Sequence, residues 1–507
     1  MRDRVTMVIA YEADSAFERQ RAHLHRLLGP VPTLGLRLDP GFSGAALNAL
    51  LDSVATEYFL LLRAGLLIEI GERSLVRLLQ VAEESGAGIV YADYFEARGD
   101  ELLARSVNDY QLGSVSEEFE FGPILLFSQE IVRRALRREG AIPSDLRWAG
   151  LYDLRLKVAT VGEIVRVPEC LAICRGSDAV LGEGEPMEEI FRYVDPRNRS
   201  AQQEMERVFT EHLRRLGAYL EPTFAPLPSP EGEYPVLASI VIPVRNRERT
   251  IADAVRSALS QRTSFPYNVI VVDNHSTDRT TEILRRWAST SPRLVHKIPE
   301  RRDLGIGGCW NEAIFAPECG LLAVQLDSDD LYAGEDALEA IVRTFFDPEA
   351  FRRAAWERPC REWPTPRYAL VIGAYRTVDF QLQEIPPGVV DHREWTRENG
   401  RNNALRVRGL GAPRAYYVPL LRRFGFPNVS YGEDYAVCLR LSREYEIGRL
   451  FEPIYLARRW EDNTDRALPW EVKNRYEAYK DWVRTVEIRA RQRRNRRTRD
   501  LCAEEGR

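Results

Sequence analysis

The fold of this chain is indicated by one stretch, Leu321-Leu322-Ala323-Val324-Gln325-Leu326-Asp327-Ser328-Asp329-Asp330. The mostly apolar first part predicts a buried strand, and the polar residues after it put carboxylates at the strand's carboxyl end. Ligands of α/β proteins bind at this edge of a parallel sheet. Crowded carboxylates repel one another, so the motif predicts a hard divalent cation among them. An Asp-rich turn that caps the next helix is the alternative.

Two strands with polar ends precede this stretch. The first, residues 238–246, breaks at Pro243 and leads into a helix, and the second, residues 268–272, ends at Asp273 and leads into another. A glycine-rich turn at residues 305–308 then opens a short helix. This alternation predicts a right-handed, mostly parallel α/β sheet.

A second acidic pair, Glu433 and Asp434, lies ahead of a helix predicted for residues 436–442. A carboxylate within reach of a hydroxyl group can take its proton, as a catalytic base does. Acidic residues are also common in the first turn of a helix, where the helix dipole favours them. Four motifs in the same register favour the catalytic interpretation.

In this order the segments resemble the family 2 glycosyltransferases of the GT-A fold, over roughly residues 236–465. The resemblance implies that the strand ends and the glycine-rich turn bind a nucleotide-sugar donor. The donor-binding residues that it implies are Pro243, Val244, Asn246, Glu248, Asp273, Gly305, Asn311 and Asp327. It implies that Asp329 and Asp327 hold Mn²⁺ or Mg²⁺, and that Asp434, with Glu433 beside it, is the base of an inverting displacement.

The chain departs from the family pattern at two places. Trp310 stands where many members carry a basic residue, so Arg301 or Arg302 is expected to contact the diphosphate instead. Many members also have a metal-binding His after the acidic pair, but no His follows His392, and Trp460 occupies that region. The ion is therefore expected to be held by Asp329, the diphosphate and water, a weak site typical of magnesium or manganese.

The first half of the chain repeats this pattern. Residues 154–171 align without a gap on residues 439–456, which indicates a duplication, although α/β units also resemble one another by chance. At the aligned positions, residues 63–65 read Arg-Ala-Gly where the second copy has its Asp-Ser-Asp, and Trp and Ala at 148–149 replace the acidic pair. We therefore expect a degenerate, non-catalytic first copy that acts as a scaffold, an acceptor-binding surface or a dimer contact.

Length and proline content predict four segments. At 507 residues with 44% hydrophobic content, the chain is too long for one comfortable core and apolar enough for two. The expected segments are residues 1–220 for the degenerate copy, 221–235 for a proline-rich linker, 236–466 for the catalytic domain and 467–507 for a C-terminal amphipathic helix with a basic tail. The apolar face predicted to dock this helix consists of Val472, Tyr476, Tyr479, Val483, Val486 and Ala490.

Composition limits the location and the partners. No run is apolar enough to span a bilayer, the chain begins with a strand rather than a signal peptide, and its seven cysteines are scattered, so we expect a cytoplasmic protein. A net charge of −5 gives no support for a nucleic-acid partner. The arginine-rich tail fits either a peripheral contact with an anionic membrane at its inner face or a solvated helix end. A homodimer also stays open.

The predicted function is metal-dependent, inverting transfer of a hexose from a nucleotide diphosphate donor, by first expectation a UDP-sugar, to a hydroxyl of a glycan or glycolipid. The product class is that of polysaccharide biosynthesis. Two alternatives stay open. One is a non-catalytic scaffold that binds a sugar nucleotide, because fold does not fix function. The other is a nucleotidyltransferase, which would release pyrophosphate rather than a nucleoside diphosphate.

Overall fold

The computed structural model describes residues 2–176, 196–230, 232–461, 463 and 468–505. The chain divides into two compact units. The first contains residues 2–176, 196–219 and 468–505 of the described chain, and the second contains residues 220–461 and 463. The parts of the four predicted segments at residues 1, 177–195, 231, 462, 464–467 and 506–507 lie outside the described residues. The segment boundaries stay predictions.

Helices and strands alternate in both units. The elements of the first unit are β1 (Val5–Tyr11), α1 (Asp14–Leu28), β2 (Thr33–Arg37), α2 (Gly44–Ser53), β3 (Tyr58–Leu62), β4 (Leu67–Glu69), α3 (Glu72–Ser85), β5 (Ile89–Arg98), β6 (Glu101–Arg105), β7 (Ile124–Ser128), α4 (Gln129–Glu139), α5 (Gly150–Val158), β8 (Ile164–Arg175) and α6 (Arg199–Arg215). The second unit contains β9 (Ala238–Val244), α7 (Ile251–Leu259), β10 (Tyr267–Asp273), α8 (Thr280–Thr290), β11 (Leu294–Lys297), α9 (Ile306–Ile314), β12 (Leu322–Gln325), β13 (Leu331–Tyr332), α10 (Ala337–Thr344), α11 (Pro348–Arg353), β14 (Leu370–Val378), β15 (Glu384–Val390), α12 (Gly400–Asn403), β16 (Arg414–Tyr417), α13 (Val418–Phe424), α14 (Glu433–Ser442) and β17 (Ile447–Arg458). The C-terminal helix α15 (Trp470–Glu505) belongs to the first unit.

The second unit is built on one mixed sheet in the strand order β11-β10-β9-β12-β16-β14-β17-β13, with β15 paired to β14. Its first four strands are parallel to one another, whereas β16 lies antiparallel between β12 and β14. The predicted α/β class is confirmed, and the parallel half of the sheet is the half that carries the polar strand ends. Because β16 runs opposite to β12, the first residue of β16, Arg414, lies beside the last residue of β12, Gln325.

The first unit has a sheet in the strand order β2-β1-β3-β7-β5-β8-β4, with β6 paired to β5. This order matches β10-β9-β12-β16-β14-β17-β13 of the second unit, strand by strand. Each pairing has the same direction as its counterpart in the second unit, including the antiparallel β7 between β3 and β5. The parallel pair β5 and β8 is interrupted by an irregular register near Asp93, as β14 and β17 are near Ala374. Among the described strands of the second unit, the edge strand β11 is the one without a counterpart.

A glycine at the start of a helix makes the same close contact in each unit. A β-carbon at Gly44, the first residue of α2, would lie 2.0 Å from the carbonyl oxygen of Pro143. A β-carbon at Gly307, in the first turn of α9, would lie 1.9 Å from the carbonyl oxygen of Pro427. Real β-carbons do not approach a carbonyl so closely, so both helices can pack here only because the residue is glycine.

The proline-rich segment ahead of β9 packs on the second unit. Leu220 and the Asn402 side chain exchange two hydrogen bonds of 3.0 Å. Phe224 lies under the guanidinium group of Arg401, 4.4 Å from the ring centroid. The hydroxyl group of Tyr417 donates to a carbonyl oxygen of the same segment at 2.9 Å. The start of this segment is therefore attached to α12 and its middle to β16.

Helix α15 buries charged side chains. Arg484 is fully buried and pairs with Asp481 at 2.7 Å, and Arg491 is fully buried and pairs with Glu487 at 2.8 Å. The sequence placed Val486 on the docked face, and that prediction is wrong, because Val486 is 46% exposed. Paired charges can be buried where their hydrogen bonds are satisfied, so apolar spacing alone did not identify this face. Among the described helices, none combines the length and the apolarity that a bilayer crossing requires.

We expect Gly44→Ala to destabilise the first unit by about 1–3 kcal/mol, because the added methyl group overlaps a backbone carbonyl that cannot move without shifting the chain. Urea unfolding followed by circular dichroism measures the loss. Gly71→Ala is the control in the same unit, because a β-carbon at Gly71 meets no atom within 4 Å. Equal losses in the two variants would contradict the close contact.

Candidate active site

The loop after β9 is held by the loop after β10. Pro243 and Val244 are the last two residues of β9. Asn246 has a left-handed backbone with φ of 53°, and its Oδ1 accepts a hydrogen bond from the Thr277 N–H at 2.8 Å. Glu248 accepts a backbone N–H from the same loop at 3.1 Å. These four predicted donor-binding residues therefore lie at the carboxyl edge of the sheet, and their contact with a donor stays a prediction.

Asp273, the last residue of β10, is fully buried. Its carboxylate accepts hydrogen bonds from the Ser276 N–H at 3.0 Å, from Thr281 Oγ1 at 2.5 Å and from His296 Nε2 at 3.4 Å. Burial by itself raises the pKa of Asp273, but these hydrogen bonds outweigh it and lower the pKa below its usual range. Asp273 therefore organises the loop. Its contact with a nucleotide base stays a prediction and requires the buried carboxylate to become accessible.

Two more predicted donor-binding residues attach α9 to the segment before α14. The N–H of Gly305 donates to Asn428 Oδ1 at 2.8 Å. The side-chain amide of Asn311 donates to the carbonyl oxygen of Phe426 at 2.9 Å and accepts the Phe426 N–H at 2.8 Å. Trp310 stacks on Phe426, with ring centroids 5.2 Å apart. Gly305 and Asn311 thus position the segment that leads to the acidic pair, and their donor contacts stay predictions.

Two of the carboxylates after β12 are held by hydrogen bonds from their surroundings. Both oxygens of Asp327 accept from Gln325 Nε2, at 2.9 and 3.0 Å. Asp330 Oδ1 accepts the backbone N–H of Arg458 at 2.7 Å. Burial raises the pKa of Asp327, and burial together with the charges of Asp329 and Asp327 raises the pKa of Asp330 well above its usual value. The acidic strand end is therefore short of positive charge.

Asp329 lies at the rim of this cluster, with its side chain 13% exposed. Its Oδ2 accepts hydrogen bonds from Trp460 Nε1 at 3.1 Å and from Asn463 Nδ2 at 3.3 Å. Arg247 Nε lies 3.8 Å from the same oxygen. The region after β17, where the family pattern often has a His, thus contributes hydrogen-bond donors that orient Asp329.

The acidic pair begins α14 and meets one arginine. Arg414 Nη2 lies 2.8 Å from Asp434 Oδ2, and the two side chains are 13% and 28% exposed. Glu433 is buried, and its Oε2 has no hydrogen-bond partner among the described residues. Burial, and then the charge of Asp434, raises the pKa of Glu433 to about 8. The site therefore favours the protonated form of Glu433, beside an Asp434 that is paired with Arg414.

Four residues around the acidic strand end were not identified from the sequence: Gln325, Arg414, Arg247 and Asn463. A glutamine in an apolar strand and an arginine at the start of another are weak signals, because neither has a recognisable spacing to the acidic motifs. Arg301, which the sequence placed near the diphosphate, pairs with Asp303 at 2.7 Å, and both side chains are mostly exposed.

A divalent cation fits this edge as a site shared with a ligand. Within the described part of the chain, no three His, Cys, Asp or Glu side chains converge to bind a metal ion by themselves. The hydrogen bonds to Asp329 from the described residues go to Oδ2 and leave Oδ1 available. One or two carboxylates with diphosphate and water oxygens form the ligand set that Mg²⁺ and Mn²⁺ prefer. Asp329, with Asp327 beside it, therefore fits the predicted ion.

Comparison with known proteins gives one family match. Residues 239–388 match the family model described as Glycosyl transferase family 2. A chondroitin synthase of Pasteurella multocida (strain Pm70) is 27% identical over 176 residues, which cover 33% of this chain and 17% of that protein. A chondroitin synthase of Escherichia coli is 36% identical over 109 residues, covering 22% and 15%. The structure of S. aureus TarS 1-349 in complex with UDP-GlcNAc is 20% identical with a TM-score of 0.34, covering 45% of this chain and 60% of that one.

The chain thus matches less than a fifth of the length of these two synthases, 17% and 15%. The mixed α/β architecture of the second unit is shown by its own strand order.

We expect Glu433 to make folding stability fall as the pH rises from about 5 to about 8. In the unfolded chain this carboxyl group loses its proton near 4.5, whereas in the folded chain it keeps the proton to about pH 8. The folded state binds more protons in this window, so the free energy of unfolding falls with pH, by on the order of a few kcal/mol. Glu433→Gln removes this contribution. Melting temperatures of both proteins between pH 5 and 9 measure it, and parallel curves would contradict it.

Proposed function

We propose, from the premise that the second unit contains a glycosyltransferase family 2 domain, that this protein transfers a hexose from a nucleotide diphosphate sugar to an acceptor hydroxyl. One observation carries the proposal: Asp434 of the acidic pair 433–434 pairs with Arg414, whose backbone is linked through Gln325 to Asp327 of the acidic motif 327–330, at the ligand-binding edge of the sheet. Perturbed carboxylates gathered at such an edge are typical of a site that handles charge and protons.

Asp434 is the proposed catalytic base. Its side chain is 28% exposed, so an acceptor hydroxyl can reach it, whereas Glu433 is buried and keeps its proton. Asp434 takes the hydroxyl proton as the acceptor oxygen attacks the anomeric carbon, and the nucleoside diphosphate leaves from the opposite face. The C–O bond to the acceptor forms as the bond to the diphosphate breaks. A single displacement of this kind inverts the anomeric centre.

Asp329 and Asp327 are the proposed ligands of a Mn²⁺ or Mg²⁺ ion, which when bound neutralises charge on the leaving diphosphate. Trp460 and Asn463 orient Asp329, and Arg247 adds positive charge on the same side. The loops that carry residues 243–248 and Asp273 are proposed to receive the nucleotide base. A UDP-sugar is the proposed donor, and the names of the two matched chondroitin synthases support a glycan or glycolipid acceptor.

The first unit is proposed to be a degenerate copy of the second. Its strand order and pairing directions match, and Asn48 of α2 donates to the carbonyl oxygen of Ile142 at 2.8 Å, as Asn311 of α9 does to its own segment at 2.9 Å. Arg63 follows β3 where Asp327 follows β12 by the same register. An arginine at the position of a metal ligand repels a cation, so this unit is proposed to lack the chemistry.

The helix start that corresponds to the acidic pair supports this view. In the first unit, the carboxylate of Glu204 on α6 accepts the backbone N–H groups of Arg147, Trp148 and Ala149 at 2.9 to 3.3 Å. The segment that leads into α5 is therefore bonded to the protein's own carboxylate. A scaffold or an acceptor-binding surface is the role proposed for this unit.

Helix α15 is proposed to bind an anionic lipid bilayer. Trp482 and Val486 are 54% and 46% exposed, and exposed Arg489, Arg493 and Arg496 continue the same line at spacings of three or four residues. This stripe combines an aromatic and an aliphatic side chain with cations, which is the composition of helices that lie at a lipid interface. The opposite side of the helix is buried, so the stripe is held outward. Contact with the inner face of a membrane would bring the enzyme near a lipid-linked acceptor.

We expect the protein to sediment with phosphatidylserine-containing vesicles at low salt and to be released as ionic strength rises, because arginines on this stripe attract anionic headgroups. Sedimentation is measured for the wild type and for Arg489→Glu/Arg493→Glu, which should lose binding. The control, Arg133→Glu/Arg137→Glu on exposed α4, changes net charge equally. Absence of wild-type binding, or equal loss in the control, would refute the membrane contact.

We expect nucleoside diphosphate release from one member of a panel of UDP- and GDP-sugars, with Mn²⁺ or Mg²⁺ and a glycan or glycolipid acceptor. Asp329→Ala and Asp434→Asn should each lower kcat by at least about 10²-fold, because one removes a metal ligand and the other the base. An enzyme-coupled assay of the released nucleoside diphosphate is the measurement.

Two variants are controls for this experiment. Asp336→Asn changes an exposed carboxylate of the same unit, and Arg63→Ala changes the first unit at the position of the lost metal ligand. Both should keep kcat within about twofold. Pyrophosphate as the product would indicate a nucleotidyltransferase. Donor binding without release under all conditions would favour the scaffold.

A further inference from the structure

We infer that Arg414 is the residue that positions Asp434, and that Gln325 ties this ion pair to the donor-side carboxylate Asp327. This inference deepens the proposed function and rests on it. Neither Arg414 nor Gln325 is an acid, a base or a metal ligand. Their role is to fix where the proposed base stands relative to the place where the donor diphosphate binds.

The contacts form a continuous chain across two neighbouring strands. Arg414 Nη2 lies 2.8 Å from Asp434 Oδ2, and the Arg414 backbone N–H donates to Gln325 Oε1 at 3.1 Å. Gln325 Nε2 donates to both oxygens of Asp327, at 2.9 and 3.0 Å. The guanidinium group also donates to the carbonyl oxygen of Gly411. With its backbone and its side chain both bonded, Arg414 has one orientation available, and Asp434 is held by it.

Charge gives this arrangement its strength. Burial lowers the pKa of Arg414, but the charges of Asp434 and Asp327 more than compensate, so the guanidinium group stays protonated. A carboxylate pair at this edge would repel without a cation between its members, and a hydrogen-bonded charge pair is strongest where water is excluded. The pair therefore keeps Asp434 from turning away into solvent before an acceptor arrives.

The first unit shows that the fold does not need this polar pair. Strands β3 and β7 correspond to β12 and β16 in sheet order and direction. Leu61 is the fourth residue of β3, and it lies opposite Leu125 of β7. Gln325 is the fourth residue of β12, and it lies opposite Arg414 of β16. The same strand pairing thus forms with two leucines in the unit that lacks both acidic motifs. Arg414 and Gln325 are therefore present in the unit that has the acidic motifs, and the sheet itself does not require them.

The test compares Arg414→Leu and Arg414→Lys with wild type in the full chain, by steady-state nucleoside diphosphate release and by calorimetric binding of UDP or GDP with Mn²⁺. We expect Arg414→Leu to lower kcat about 10²-fold while the donor KM and the nucleotide Kd stay within about threefold. Arg414→Lys keeps a cation and should recover at least about tenfold of the lost kcat. Arg376→Leu, on β14 of the same unit, is the control and should keep kcat within about twofold.

Several results would overturn the inference without touching the proposed function. The first is a kcat for Arg414→Leu within about threefold of that of an active wild type. The second is an equal loss of kcat in Arg414→Leu and Arg414→Lys together with a loss of nucleotide binding, which indicates a structural role. If Arg414→Leu fails to fold, Gln325→Leu/Arg414→Leu installs the pair found in the first unit, and the same criteria apply to it. A wild type that binds nucleotide but releases no product with any donor refutes the proposed function itself.

Discussion

The ion pair between Arg414 and Asp434 is the interaction on which the acidic edge of the second unit depends. Two separate acidic motifs end at this edge, and the packing of α14 against the sheet brings them close enough to perturb one another. Carboxylates in such surroundings are tolerated only when cations, protons or hydrogen bonds compensate them. Arg414 is the cation, Gln325 donates hydrogen bonds to Asp327, and the raised pKa of Glu433 favours its protonated form.

The scaffold that holds this edge is separable from its chemistry. Gly307 lets α9 approach the carbonyl oxygen of Pro427, and Asn311 bonds to the backbone of Phe426. These contacts are made largely with the backbone, so they set the path of the segment before α14 whatever side chains follow it. The first unit makes the same two kinds of contact through Gly44 and Asn48. Backbone contacts therefore account for the shared architecture, and the two units differ in the side chains at their strand ends.

The limits of the sequence prediction follow from the range of the interactions. The strands that lead to Asp273 and Asp327 could be predicted, because an apolar run followed by polar residues is a local signal. The position of Arg414 could not be predicted, because it depends on β16 lying antiparallel between β12 and β14. This arrangement pairs Arg414 with Gln325, nearly ninety residues earlier in the chain. Asn311 shows the same limit, because its residue type suits a ligand contact, and only the structure shows its amide bonded to Phe426. Val483 of the face predicted for α15 is buried, but Arg484 and Arg491 of the same buried face were missed because they are paired with acidic residues of the helix.

The cost of unpaired charge explains why the two units differ at several positions together. Without its carboxylates, Arg414 would be a largely buried cation with no counterion, and without Arg414 the acidic motifs would repel one another, so either change alone is expensive. The matching strands of the first unit have none of these pairs: leucines stand opposite each other at 61 and 125, and an arginine at 63 faces Glu120 at the surface. Because the members of such a network depend on one another for charge balance, a fold is stable with the complete network or with none of its members. The sheet keeps its order in both cases, because its strand pairing involves none of these charges.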